Sequence, residues 1–111
     1  MLQSIPHSTS DVHAPASNTA AVVTYAAVSD RRHAINGIAW SYSGAPTGGN
    51  LKVEDGSGTT VFTMDVTAAG AGFVPFAAPL AGRNNTALIV TLAAGGSGVS
   101  GKVSVLGHYL E

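Results

Sequence analysis

The side chains that could carry chemistry in this sequence are few: four histidines and six acidic residues spread along 111 positions. His33 and His108 fall on predicted strands near opposite ends of the chain, and antiparallel pairing would bring them together. With Asp30 or Asp65 they would supply the imidazole and carboxylate ligands of a metal site. The interpretation we favour makes both histidines surface or rim residues, because metal-binding sandwiches place several His and a Glu on neighbouring strands.

Three other motifs resemble sites and have simpler explanations. His7, Asp11 and His13 form an H-x3-D-x-H string in a polar segment, where spacing alone imposes no geometry. Asp55-Gly-Ser-Gly58 lacks the dense carboxylates of a calcium loop and is typical of a hairpin turn. Asn84-Asn85-Thr86 fits a glycosylation acceptor, but no secretion signal accompanies it. Without a nucleophile elbow or phosphate loop, we predict no catalytic residues, no metal, no cofactor and no enzymatic activity.

The composition narrows the class of protein further. Only 10% of residues are charged, against about 25% in an average domain, while 45% are hydrophobic. Small uncharged residues suit subunit interfaces, so we predict an oligomer. Five basic residues and a net charge of −1 argue against nucleic-acid binding. No apolar run is long enough for a membrane helix, and no signal peptide is evident, so we predict synthesis in the cytoplasm.

The first 19 residues differ from the rest of the chain. They contain Pro6 and Pro15 among many polar residues and show no sustained period. One interpretation is a frayed terminus; the sharper one is an extended arm that orders against a neighbouring subunit. We therefore divide the chain into an arm, 1–19, and a single domain, 20–111. The isolated apolar residues that would anchor the arm are Leu2, Ile5 and Val12.

From residue 20 onward the sequence reads as consecutive β-strands separated by glycine-rich turns. In the segment 33–43, for example, Ile38, Trp40 and Tyr42 share one face and Ile35 lies on the other, because side chains alternate with period two. Pro75 makes its segment an edge strand or an irregular crossing. Seven or eight strands at spacings near 8–12 residues, without a convincing helix, indicate an antiparallel β-sandwich or barrel.

Two surface features suggest partners. Trp40 with Tyr42 would stack on a sugar, although a Trp on an alternating apolar face is more often part of a core. Arg31, Arg32 and His33 form the only basic cluster, which is either a solvated turn or a contact for an acidic partner surface.

Several segments together resemble small virion proteins of tailed bacteriophages. They are HAINGIAWSYSGAPTGG (33–49), VFTMDV (61–66), GFVPF (72–76) and LAAGGSG (92–98), within residues 20–110. The chain is similar to head decoration, or cement, proteins with a jelly-roll-like sandwich, and these segments are structural in character.

The resemblance implies a fold and a function. The fold would be a jelly-roll sandwich with an extended N-terminal arm. The protein would be a non-enzymatic component of the virion that binds the major capsid protein on the outside of the capsid. It would be a homo-oligomer, with a trimer favoured over a dimer, because decoration proteins often sit on capsid symmetry axes. The alternative is an adhesin or tail-fibre module that binds a host surface glycan through Trp40, Tyr42 or loop residues.

Overall fold

A computed structural model describes residues 8–110, which form eight β-strands. No helix in these residues is long and apolar enough to cross a membrane. The strands are β1 (Ser8–His13), β2 (Ala21–Tyr25), β3 (Arg32–Tyr42), β4 (Asn50–Asp55), β5 (Thr60–Asp65), β6 (Gly70–Ala81), β7 (Leu88–Leu92) and β8 (Gly101–Leu110).

The strands form two four-stranded antiparallel sheets. Sheet A has the order β1-β8-β3-β6 and sheet B the order β2-β7-β4-β5. The first strand pairs with the last, the second with the seventh, the third with the sixth and the fourth with the fifth. This is one long antiparallel ribbon rolled into a sandwich, which is the jelly-roll arrangement. The predicted jelly-roll sandwich is therefore confirmed.

The core lies between the sheets and follows the period-two pattern. Leu51 and Val53 of β4 face inward while Lys52 and Glu54 of the same strand are more exposed. Tyr42 closes one end of the core, where its hydroxyl donates a hydrogen bond to the Ala93 carbonyl oxygen at 2.6 Å. Burial raises the pKa of this phenol above its ordinary value, and a backbone hydrogen bond from Asn50 partly offsets the effect. The other buried hydrophobic residues of the core cluster include Ala21, Val23, Ile35, Ile38, Leu88, Val90, Leu92, Val103 and Val105.

A β-bulge in β3 corrects one predicted face. Ile35 was expected on the side opposite Ile38, but both are fully buried in the core. The register shifts between Ile35 and Gly37. In the pairing with β8, these two β3 residues are opposite the consecutive residues Gly107 and Leu106, so Asn36 is an extra residue in β3 relative to β8. An inserted residue reverses the alternation on one side of it. The Asn36 side-chain oxygen lies 2.7 Å from Nδ1 of His108, which joins the bulge to β8.

The sandwich begins earlier than the predicted domain boundary at residue 20. Ser8–His13 forms β1, which pairs with β8 from Ser8 opposite His108 to His13 opposite Val103. Its sequence, STSDVH, holds a single apolar residue, and that residue, Val12, is exposed. The strand is held by its backbone pairing and has no apolar alternation, so periodicity could not reveal it. The predicted anchors Leu2 and Ile5 lie outside the described residues.

The turn 56–59 joins β4 and β5, as the Asp55-Gly-Ser-Gly58 motif predicts, and Asp55, the last residue of β4, forms an ion pair beside it. Gly56 and Gly58 have φ angles of 80° and 86°, which glycine adopts without strain. Asp55 is buried and accepts hydrogen bonds from the Arg83 backbone amide at 3.0 Å and from Arg83 Nε at 2.9 Å. Arg83 also donates to the Asp55 carbonyl oxygen at 2.8 Å. These bonds attach the 82–85 turn to the end of β4.

Trp40 packs inside the sandwich against Gly72, its cross-strand partner in β6. A Cβ atom at position 72 would lie 2.3 Å from Cζ2 of Trp40, so a side chain there would displace the indole. We expect Gly72→Val to lower the free energy of unfolding by about 2–3 kcal/mol. Because Trp40 is the only tryptophan, its fluorescence should shift to the red in the folded variant, and chemical unfolding gives the energy.

The matched control is Gly44→Ala, where the nearest atom to an added Cβ is Val99 Cγ2 at an ordinary 3.6 Å. This variant should unfold within about 0.5 kcal/mol of the parent. Equal stabilities for the Gly72 and Gly44 variants would contradict the close packing of Trp40 on β6.

Candidate interaction surface

The outward side of sheet A presents an apolar surface to solvent. Val12 is 64% exposed, Phe73 54% and Leu106 45%, and these are three of the five large hydrophobic side chains that stand out on the described surface. The strand register places them on one side, because Val12 pairs with Ser104, and Ala39 pairs with both Ser104 and Phe73. We call this surface the apolar face and define it by Val12, Ala39, Ala71, Phe73, Pro75 and Leu106.

Phe73 owes its position on the apolar face to a glycine in the next strand. A Cβ atom added to Gly37 would lie 2.7 Å from Cζ of Phe73, so the ring rests directly over that residue. An aromatic ring over a cross-strand glycine covers backbone that no side chain protects. Beside it a shallow trough of about 250 Å³ runs between Val12 and Ala71, with Lys102 and Ser104 also in its lining. The apolar face therefore has a depression as well as exposed apolar side chains.

Charge is distributed unequally between the outward sides of the two sheets. Sheet B carries Lys52, Glu54 and Asp65, and the first two approach each other to 3.9 Å. On the outward side of sheet A, within the side chains that the structure describes, register places only Arg32 and Lys102, at opposite ends. The middle of sheet A is thus uncharged, a property of the central part of interfaces.

The predicted contact residues gather near one end of the apolar face. Arg32 begins β3, and its Nε donates to the Gly82 carbonyl oxygen at 3.1 Å. Ser8, the first described residue, pairs with His108, and His108 pairs with Ala34 of β3. The entry of the N-terminal segment and the basic cluster therefore lie at the same end of sheet A. Val12 lies on the apolar face itself, as an exposed residue of β1.

His33 differs from its neighbours in the basic cluster, because it is buried. Its Nε2 lies 2.7 Å from the Ala26 carbonyl oxygen, and its ring packs on Tyr25 with centroids 5.4 Å apart. The prediction of a surface or rim position for His33 is wrong, since the β3 alternation turns it into the interior. His33 is therefore not available for a partner contact, which leaves Arg31 and Arg32.

The two alternative sites considered from the sequence are not assembled. His33 and His108 occupy adjacent strands, but they are offset by one position in the register and point to opposite sides of sheet A. Across the described part of the chain, no three His, Cys, Asp or Glu side chains converge as metal ligands. Tyr42 is buried in the core and the partly buried Trp40 packs against it, as the apolar alternation predicted.

Sequence reasoning missed the apolar face, although part of the signal was present. In β8, Val103 and Val105 alternate inward, and Leu106 breaks the pattern as an apolar residue on the polar side. Every residue of β6 is Gly, Ala, Val, Leu, Phe or Pro. A strand with one solvent-exposed side needs apolar residues only on its other side. The sequence thus indicates the apolar face through apolar residues at strand positions that point away from the core.

No protein-family model and no curated protein matches the sequence. The fold is similar to three solved structures at low sequence identity. The nucleoplasmin-like N-terminal domain of Drosophila FKBP39 has a TM-score of 0.52 at 14% identity, with 100% of this chain and 95% of that chain covered. The Drosophila NLP core, from a study of pentamer formation and histone binding, has 0.51 at 16% identity, with 94% and 98% covered.

The third similar structure comes from a virus. A chain in the acid-stable capsid structure of Helicobacter pylori bacteriophage KHP30 has a TM-score of 0.50 at 15% identity, with 96% of this chain and 99% of that chain covered. At these identities the three likenesses concern the fold alone. Structures that share this fold thus include a chain of a phage capsid structure and a protein studied for its pentamer formation.

Proposed function

We propose that this protein is a structural virion component that binds the outside of a bacteriophage capsid and stabilises it, as a decoration or cement protein. The observation that carries the proposal is the uncharged apolar face on the outward side of sheet A, where Val12, Phe73 and Leu106 are exposed. Support comes from the jelly-roll fold, which a KHP30 capsid chain shares over nearly its whole length.

The physical role of such a protein requires contact area and no catalysis. A capsid is held together by many weak repeated contacts, and packaged nucleic acid pushes its subunits apart. Four strands about 4.8 Å apart and some ten residues long give sheet A an outward area of roughly 600 Å². One such patch gives a weak interaction, so several joined copies that bind neighbouring capsid subunits would gain affinity through avidity. We accordingly propose a homotrimer that binds the major capsid protein without a cofactor.

The N-terminal residues and the two arginines would extend this contact at one end. Ser8, the first described residue, lies at the end of sheet A where Arg32 begins β3. In the proposal, Leu2 and Ile5 insert between capsid subunits, while Arg31 and Arg32 face acidic side chains. Ordering a segment on docking costs several kcal/mol, which restricts tight binding to the matching assembled surface.

The test is co-sedimentation of the purified protein with heads of the encoding phage that lack it. We expect saturable binding at a fixed ratio of copies to capsid subunits. Deleting residues 1–7 should weaken binding at least tenfold and leave the circular dichroism spectrum unchanged. The deletion must stop there, because residue 8 begins β1. Tails and host cells serve as controls, and binding to those particles in place of heads would contradict the proposal.

A further inference from the structure

The two lateral edges of the sandwich are built differently. At the β1–β2 edge, Nδ1 of His13 accepts a hydrogen bond from the Val22 backbone amide at 2.9 Å, which links sheet A to sheet B. By register His13 and Asp11 lie on the inward side of β1, where they are polar and exposed to water. Polar inward residues on an edge strand discourage association with another molecule. This edge is therefore suited to solvent.

The opposite edge, between β5 and β6, leaves apolar side chains half-exposed. The Phe62 and Phe76 rings meet edge to face with centroids 5.2 Å apart, and no polar side chain of β6 covers them. The inward residues of the neighbouring strands β4 and β7 are fully buried, whereas those of β5 and β6 are only partly so. We call this edge the seam and define it by Phe62, Met64, Val74, Phe76 and Leu80.

The strand that borders the seam has the composition of a buried strand. All 12 residues of β6 are apolar or glycine, although β6 is the edge of sheet A. Exposed edge strands in soluble proteins usually carry charges, and none occurs here. Pro75 and Pro79 lack amide protons and interrupt the donors that another strand would need. The seam is thus protected against open-ended strand addition, while its side chains remain available for packing.

We propose that the seam is the surface through which copies of this chain associate with one another, a contact that rests on the homotrimer proposed above. All eight strands already have places in the sandwich, so the described chain offers no further element to cover the seam. A surface without charged groups is matched by an identical apolar surface, whereas the polar β1–β2 edge is a poor partner for it. In a closed trimer the contact is heterologous, so one side of each seam packs against the other side of the next seam and the three seams surround the symmetry axis.

The size of the seam is sufficient for a stable contact. The part of β3 that pairs with β6, Ala34–Tyr42, has nine residues, which at about 3.3 Å each give the edge a length of roughly 30 Å. With an extent of 23 Å along the shortest axis of the molecule, this edge offers approximately 700 Å² per copy. Stable interfaces bury about 600–1,000 Å² on each partner, so the seam has the required extent.

The test places a charge beside the seam at a residue that the fold does not need. Ala78 lies on β6 between the seam residues Phe76 and Leu80 and is exposed, so Ala78→Glu should fold normally but put like charges together at the axis. We expect sedimentation velocity to show a trimer for the parent and a monomer for Ala78→Glu, with the dissociation constant raised at least 100-fold. The matched control, Thr24→Glu on β2, should remain trimeric.

A second measurement uses the absence of cysteine from the sequence. A single thiol in Ala78→Cys should be joined to another copy by a short bismaleimide cross-linker, and Thr24→Cys should not. If Ala78→Glu remains a trimer, or if copies are cross-linked only through position 24, the seam is not the contact between copies. Either result would leave the proposed binding to heads unaffected, because co-sedimentation tests that binding separately. A monomeric parent chain would overturn both the seam contact and the proposed trimer, but a monomer that binds heads would leave the capsid role standing.

Discussion

Arg83→Met is expected to lower the free energy of unfolding by about 2–3 kcal/mol, because it leaves the Asp55 carboxylate without its main partner. The Asp55 side chain is 9% exposed and receives Arg83 Nε at 2.9 Å, while the arginine itself is 64% exposed. The burial of the Asp55 carboxylate determines the size of this loss in stability. Removing the partner of a desolvated charge lowers the free energy of unfolding by more than the intact ion pair contributes to it. Thermal unfolding should show the midpoint falling by about 10–20 °C.

Two further variants separate this effect from general surface charge. Lys52→Met removes the partner of Glu54 in a looser pair, 3.9 Å apart, whose lysine is 40% exposed, and should change stability by less than about 0.5 kcal/mol. Adding Asp55→Asn to Arg83→Met removes the uncompensated charge and should recover part of the loss. Equal effects of Arg83→Met and Lys52→Met would show that the buried ion pair does not hold the 82–85 turn to β4.

Leu106→Glu should reduce binding to undecorated heads at least 100-fold without unfolding the protein. Leu106 is 45% exposed at the centre of the apolar face, so the fold tolerates glutamate there. In a docked complex the carboxylate would be buried against an apolar partner, and an unpaired buried charge is strongly unfavourable. Co-sedimentation measures the affinity, and circular dichroism with thermal unfolding verifies the fold.

The matched control for the apolar face is Val22→Glu, the same type of change at an exposed hydrophobic residue on the outward side of sheet B. It should bind heads within about threefold of the parent. If Leu106→Glu binds as well as the parent, or if both variants lose binding equally, the apolar face is not the surface that contacts the capsid.

The sequence predicts the strands well where apolar and polar residues alternate regularly. It predicts them poorly where a strand is held by backbone hydrogen bonds and its side chains show no such alternation. Leu51 and Val53 reveal β4 because inward and outward residues differ in polarity. The strand β1 has no such contrast, so its six residues were assigned to an arm. Ile35 was placed on the wrong face because a single bulged residue, Asn36, reverses the period and leaves no compositional mark.

The candidate surfaces depend on tertiary proximity, which the sequence encodes only weakly. Asp55 and Arg83 are 28 positions apart, and neither lies in a motif that would pair them. Val12, Phe73 and Leu106 come from three strands and meet only once the ribbon has rolled up. The low charge of the chain predicts an interface, but the residues of the apolar face can be named only from the strand order of sheet A.

The decisive measurement for the capsid role is electron cryomicroscopy of phage heads that are assembled without this protein and then mixed with it. We expect sandwich-shaped density on the outer surface at symmetry-related positions, with sheet A facing the capsid subunits. Stabilised heads should also retain their nucleic acid at temperatures where undecorated heads release it. Heads that acquire no ordered density at saturating protein, with the protein found on tails or host cells, would contradict the capsid role.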